Sequence, residues 1–306
     1  MNSIEAMKWD IDRQPDEIPH VCSDVAPLTP EQQCAAVITG AGDSFAAALV
    51  AEYASSGRIR ATDPVDIVLQ PEIVKGKRLY LISISGSTRS NIQAAKVARK
   101  NGAHVIGITA RSESDLARYC HETMLLTYKS AGVVTAGTIG FTASMAVCLS
   151  LVAHLDLKNL STIFAQARSD AREEYPDASF ILGSWITYPL ALYGAAKAYE
   201  VFGSKVQYCR LEQFGHMELF STQKSEKVLI LPYPGDGAAA ATKELTQCGL
   251  SVHYLMPEFT LIEELLFYYT FLLQHSVLQK AGAVRLEDVN FLINKTLKKA
   301  SDHLIY

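Results

Sequence analysis

LYLISISGSTRSNIQAAKVARKNGAHVIGITA, residues Leu79–Ala110, is the stretch whose reading decides the fold. It opens on an apolar run, Leu79–Ile84, of the length and character of a buried strand. The run stops at Ser85-Gly86-Ser87-Thr88, and a helical pattern follows at once over Asn91–Asn101, with Gly102 as its C-terminal stop. Val105–Ile108 is the next strand. Hydroxyls and backbone N–H groups therefore gather where a parallel strand gives way to a helix N-terminus. That place suits an anion, because the first-turn amides lack partners and the helix dipole is positive there. A turn rich in Ser and Thr with a single Gly suggests a phosphate monoester, not the pyrophosphate of a dinucleotide.

Working outward, 306 residues are enough for two domains of ordinary size. A 49% hydrophobic and 20% charged composition is that of a soluble globular chain. A net charge of −4 and the lack of a basic run argue against nucleic-acid and membrane-surface partners. Cys22, Cys34, Cys120, Cys148, Cys209 and Cys248 are scattered with no C-x-x-C pair, so they read as reduced thiols of a cytoplasmic protein. The first twenty residues are acidic and polar, unlike a secretory leader. Thr138–Leu155, the longest apolar stretch, contains Gly140, Thr142 and Ser144 and reads as a core helix.

The organisation is a repeated α/β pattern. Residues 1–30 read as a polar N-terminal arm and 31–157 as a first domain. There, strand Ala35–Thr39 leads into the turn Gly40-Ala41-Gly42-Asp43-Ser44 and a helix from Phe45. Strand Val65–Leu69, the serine turn unit, strands Val105–Ile108 and Thr123–Thr127, and the apolar helix complete it. Residues 158–177 form a connecting helix, and 178–306 a second domain with the same rhythm. The expected fold class is α/β: two domains, each a doubly wound, mostly parallel sheet flanked by helices in a flavodoxin-like three-layer sandwich. Ligands of such sheets sit at the carboxyl ends of strands, where both glycine- and serine-bearing turns lie.

Gly40-x-Gly42 begins like a dinucleotide fingerprint, but Phe45 stands where the third glycine belongs. A plain turn is the simpler reading of Gly42, which with Gly86 is also a candidate substrate contact, while the repeated strand–turn–helix unit favours a ligand contact at Ser44. For Ser83, Ser85, Ser87 and Thr88, with Gly86 among them, the simpler reading is an N-cap. A cap needs one hydroxyl and four are present, which favours phosphate binding. Lys197 and Glu200 are three apart on a helix and share a face. Alone, that spacing describes a surface ion pair of little energetic weight. Their helix neighbours are nevertheless small and uncharged. His216 reads as a loop residue, and no histidine pattern supports a metal site.

These residues together resemble the double SIS-domain (sugar isomerase) family, especially the isomerase half of glucosamine-6-phosphate synthase and its stand-alone relatives, including the SIS-type glucosamine-6-phosphate deaminases. Asp10-Ile11-Asp12-Arg13-Gln14-Pro15 resembles the family's E-I-x-x-Q-P lead-in. Gly40–Ser44 is similar to its first Gly-rich turn. Ser83-Ile84-Ser85-Gly86-Ser87-Thr88 is similar to its S-x-S-G-x-T sugar-phosphate loop, the most specific of these motifs. Gly194-Ala195-Ala196-Lys197-Ala198-Tyr199-Glu200 is similar to G-A-x-K-x-x-E, whose glutamate is the family's catalytic base. His216 aligns with a ring-opening histidine, and Lys295 with a tail lysine that closes over the sugar. The chain departs from the synthase in Gln213, in Met217-Glu218 and in Tyr193, which stands where the synthase has a glutamate and is a candidate substrate contact.

The resemblance implies a cofactor-independent and metal-independent aldose–ketose isomerase or deaminase acting on an amino-sugar phosphate such as glucosamine 6-phosphate, in a homodimer with shared active sites. The chemistry is consistent with the residues. One carboxylate, Glu200, can shuttle a proton between C1 and C2 through a cis-enediol or enolamine. His216 can open the sugar ring near neutral pH. Lys197 or Lys295 can stabilise the developing oxyanion. A phosphoglucose/phosphomannose isomerase and a non-catalytic phosphosugar sensor are the alternative expectations.

Overall fold

The computed structural model describes residues 1–259 and 261–305. Among the described residues, nine strands run parallel within two sheets: β1 (Ala36–Gly40), β2 (Arg60–Thr62), β3 (Arg78–Ile82), β4 (His104–Thr109) and β5 (Glu122–Leu125) form one, and β6 (Phe180–Gly183), β7 (Gln207–Arg210), β8 (Lys227–Leu231) and β9 (Ser251–Tyr254) the other. The strand orders are β2-β1-β3-β4-β5 and β7-β6-β8-β9. The second order repeats the first with its last strand missing. The chain divides into two compact units, one built from Met1–Asp12, Ala131–Ala136 and Asp156–Ile293, the other from Arg13–Ser130, Gly137–Leu155 and 294–305.

Alternation along the strands builds each unit. In the five-stranded sheet, Val37, Leu79, Leu81 and Val105 point to one face and pack with Ala94, Ala95 and Ala98 of the helix Arg89–Lys100. Helix Asp43–Ala54 packs against β1 and against Ile139–Ser150, whose every residue is buried, as a core helix requires. In the four-stranded sheet, Phe180, Leu182, Val228 and Ile230 cluster with Phe214, Ala238 and Leu245 on one face. Helix Tyr188–Phe202 packs against β6, β7 and the helix Ile262–Ala283. No helix among the described residues is long and apolar enough to cross a membrane.

One local expectation is corrected. Val65–Leu69 is not a strand. It lies in the helix Pro64–Leu69, which Asp63 caps by accepting from the Val65 amide at 2.8 Å and which Pro64 preorganises at the first turn. The second strand is instead the short polar Arg60–Thr62. Residues 1–30, read as a polar arm, carry helices Ser3–Asp12 and Gln14–Cys22, with Ala6, Met7, Ile11 and Ile18 buried.

Helix Ile262–Ala283 carries a stability switch. His275 is 4% exposed, and burial, reinforced by nearby Arg168 and Lys8 and opposed by Asp12, pushes its imidazole down to about 4. An unfolded chain takes up this proton near its ordinary value of about 6.5, so stability is full above that pH and is lost as pH falls towards 4. Urea denaturation should show a loss of about 2 kcal/mol between pH 7 and pH 4.5 from this group. His275→Phe should flatten that acid limb, and an unchanged limb would show that other groups cause it.

Candidate active site

The five-stranded order reverses direction between β1 and β3, and their carboxyl ends are the topological switch point of such a sheet. Gly40 at the end of β1 pairs in register with Ile82 at the end of β3, which brings the two turns side by side. At Gly40 an added Cβ would lie 2.5 Å from the Ser44 Cβ, so only glycine lets the helix Asp43–Ala54 start this close to the strand. Gly42 precedes that helix with φ +59°, a left-handed conformation that side chains resist, and space around it is open. Ser44 sits in the helix's first turn, half-buried.

The serine turn is held from below. The Ser83 amide donates to the Ile108 carbonyl at 2.9 Å, and buried Asn91 donates through its Nδ2 to the Ile82 carbonyl at 2.9 Å. Gly86 has φ +62°, and a Cβ there would come within 2.2 Å of Ser114, so both conformation and space demand glycine. Ser83 Oγ lies 3.3 Å from Thr88 Oγ1, and Ser87 Oγ donates to Ser85 Oγ at 2.8 Å. Thr88 occupies the N-cap position of Arg89–Lys100 but makes no side-chain cap bond. The hydroxyls are thus bonded to one another in pairs and are not used to cap the helix. Such a cluster can re-aim onto an oxyanion by exchanging one weak neutral bond for a charge-assisted one.

The second cluster lies in the other unit. On helix Tyr188–Phe202, Lys197 is 1% exposed, and its Nζ lies 2.5 Å from Glu200 Oε2. The Nζ also stands 5.1 Å from the Tyr193 ring centre, and Gln274 donates to the Tyr193 hydroxyl at 3.0 Å. The spacing alone described a surface pair, but the structure buries the cation and leaves the carboxylate half-exposed. Close packing explains this: an added Cβ at Gly194 would lie 3.0 Å from Leu273 and 3.1 Å from Ile181, so the helix sits tight against its neighbours. Tyr193, expected to touch substrate, is fully buried. Its ring packs beside the Lys197 ammonium. Gln274 belongs to the same group, and its only sequence signal is a polar residue inside an apolar helix.

His216 is not in a loop. It ends the six-residue helix Leu211–His216, and its exposed ring has Glu212 as partner, 2.9 Å from Nε2. Lys295 is exposed at the start of helix Lys295–Ile305 and has no hydrogen bond or ion pair among the described residues. At the switch point of the four-stranded sheet, the turn after β8 carries no hydroxyl cluster; Tyr233 there stacks edge-on against Trp185, ring centres 4.8 Å apart. The two units therefore repeat a topology but not a site chemistry. Among the described residues, no three His, Cys, Asp or Glu side chains are grouped to hold a metal ion.

Comparison with known proteins matches residues 71–154 to the SIS domain family. That match contains the serine turn and β3 to β5, and the four-stranded sheet lies outside it. The chain is 28% identical over 192 residues to glutamine--fructose-6-phosphate aminotransferase [isomerizing] of Pyrococcus horikoshii, a match covering 54% of this chain and 32% of that protein. The chain thus spans about a third of the curated relative's length. Among solved structures, glucosamine-6-phosphate deaminase from Thermotoga maritima superposes with a TM-score of 0.72 at 20% identity, covering 91% of this chain and 94% of that one. Tagatose-6-phosphate ketose/aldose isomerase from Escherichia coli gives 0.72 at 17% identity, covering 91% and 92%. The C-terminal domain of glucosamine-fructose-6-phosphate aminotransferase from Francisella tularensis gives 0.68 at 16%, covering 90% and 96%. The fold is SIS-type, with parallel sheets flanked by helices.

Proposed function

We propose that the chain is a cofactor-independent phosphosugar isomerase of the SIS type, acting on an amino-sugar phosphate with release of ammonia. In this reading the serine turn, with Ser44 beside it, holds the phosphate. Glu200 moves a proton between C2 and C1, and Lys197 balances the negative charge that develops on the sugar oxygen. The observation that carries the reading is the pairing of a fully buried lysine with a half-exposed carboxylate on one rigid helix. The lysine fixes the position and aim of Glu200, as a general base needs, and its burial is hard to explain as surface chemistry. The second sheet's repeated strand order supports reading the chain as a double SIS protein.

The direct test is a panel of hexose 6-phosphates with and without a 2-amino group, assayed for ammonia and for aldose–ketose conversion. Ammonia from glucosamine 6-phosphate supports the deaminase. Interconversion of glucose, mannose and fructose 6-phosphates without ammonia moves the assignment to the isomerase alternative. Tight binding with neither reaction leaves a phosphosugar sensor.

The role of His216 belongs to this proposal as well. Exposed, and engaged with Glu212, it is assigned to ring opening in the site of a second copy of the chain, in a cytoplasmic homodimer. Mixing inactive Glu200→Gln protein with inactive His216→Ala protein should restore activity to about a quarter of wild type under random subunit exchange. Exchange without recovery would place both groups in one chain's site.

A further inference from the structure

Outside the residues assigned to catalysis, a cavity of about 320 Å³ opens between the N-terminal helix Ser3–Asp12, the end of helix Leu160–Asp170 and the helix Ile262–Ala283, all within one compact unit. Ile4 and Leu278 give it apolar walls, and Lys8, Asp12, Arg168 and His275 supply its polar groups. Its volume is at the lower end of small-molecule sites.

Two features of the lining bear on what it could hold. His275 is 4% exposed, yet its Nε2 has no hydrogen-bond partner. A buried polar atom left unmade is costly and calls for a partner. Arg168 is an exposed residue of the lining, with neither an ion pair nor a hydrogen bond among the described residues, so its guanidinium is available to a ligand. The other charges are engaged: Lys8 pairs with Asp12, and Glu5, also at the rim, accepts from the Asn2 amide at 3.0 Å. One cation is thus left unpaired beside one orphaned imidazole in a hollow whose other charges are engaged.

We propose that this cavity is a binding site for a small carboxylate with an apolar body, its carboxylate on Arg168 and its hydrogen-bonding edge on His275. A guanidinium presents two parallel N–H groups matched to a carboxylate. Asp12 and Glu5 at the rim disfavour a dianion, so a phosphate monoester is the poorer match. The site is distinct in residues from the serine turn and from Lys197 and Glu200, and it would let a carboxylate metabolite stabilise this unit by mass action.

Benzoate is a suitable probe because it is small, apolar and monoanionic, and benzyl alcohol is its uncharged counterpart. Isothermal titration of the purified full chain should show saturable benzoate binding at concentrations up to about 10 mM, with benzyl alcohol weaker by tenfold or more. Arg168→Gln should weaken benzoate at least about tenfold and leave benzyl alcohol unchanged. His275→Phe, which keeps the ring but removes both nitrogens, should weaken both probes. The triple variant Ser83→Ala, Ser85→Ala, Thr88→Ala should bind benzoate like wild type, which separates this site from the phosphate turn. No saturable binding of benzoate, or binding that is indifferent to Arg168→Gln in a variant with unchanged melting temperature, would overturn the proposal and leave the cavity to ordered water.

Discussion

Replacing Glu200 by Gln should abolish turnover while leaving phosphosugar binding within about threefold of wild type, because the amide preserves shape but cannot accept a proton. General base catalysis contributes about 10²–10⁴-fold, so the remaining rate should be a hundredth of wild type or less. The substitution also leaves Lys197 buried against a neutral oxygen, so the melting temperature should drop. For that reason binding of fructose 6-phosphate must be measured on the same preparation. A variant that binds normally and retains more than about a tenth of the rate removes Glu200 as the base.

The second large effect is expected at the serine turn. Alanine at Ser83, Ser85 and Thr88 together should weaken sugar phosphates and inorganic phosphate alike. Hydrogen bonds to a charged group are worth about 1.5–3 kcal/mol each, so two lost contacts give a hundredfold change or more. The helix should survive the change, because Thr88 supplies no side-chain cap and Asn91 anchors the turn from beneath. Unchanged inhibition by inorganic phosphate in a folded triple variant would reduce the cluster to a local hydroxyl network.

How far the chain's primary structure announces these features depends on which contacts carry them. The unit from β3 to β4 is legible because each part has a local cause: an apolar run, a turn of small residues, a polar helix ending before Gly102, which has φ +77°. Val65–Leu69 misleads because its apolar, β-branched character suits a strand. Asp63 and Pro64 start a helix there, and the true strand Arg60–Thr62 is too short and polar to leave a pattern. The joining of Met1–Asp12 and Ala131–Ala136 to the unit of Asp156–Ile293 rests on contacts such as Ser3 with Asp288 and Asp10 with Ala131, which no local rule encodes.

The candidate site divides the same way. Spacing puts Lys197 and Glu200 on one face of a helix but says nothing of which face is covered. Burial of the lysine follows from Gly194 admitting Leu273, almost eighty positions away in the chain. Tyr193 and Gln274 join that group through tertiary packing alone. His216 reads as a loop residue in the sequence, whereas the chain forms a short helix from Leu211 and pairs His216 with Glu212.

The central claim is that Glu200 exchanges a proton on a sugar-phosphate carbon, and solvent isotope exchange tests it most directly. Fructose 6-phosphate incubated with the protein in deuterated water, followed by NMR, should gain deuterium at C1 at a rate that Glu200→Gln lowers by about a hundredfold or more. Rapid exchange that survives Glu200→Gln, or no exchange into any bound hexose or hexosamine phosphate, would contradict it.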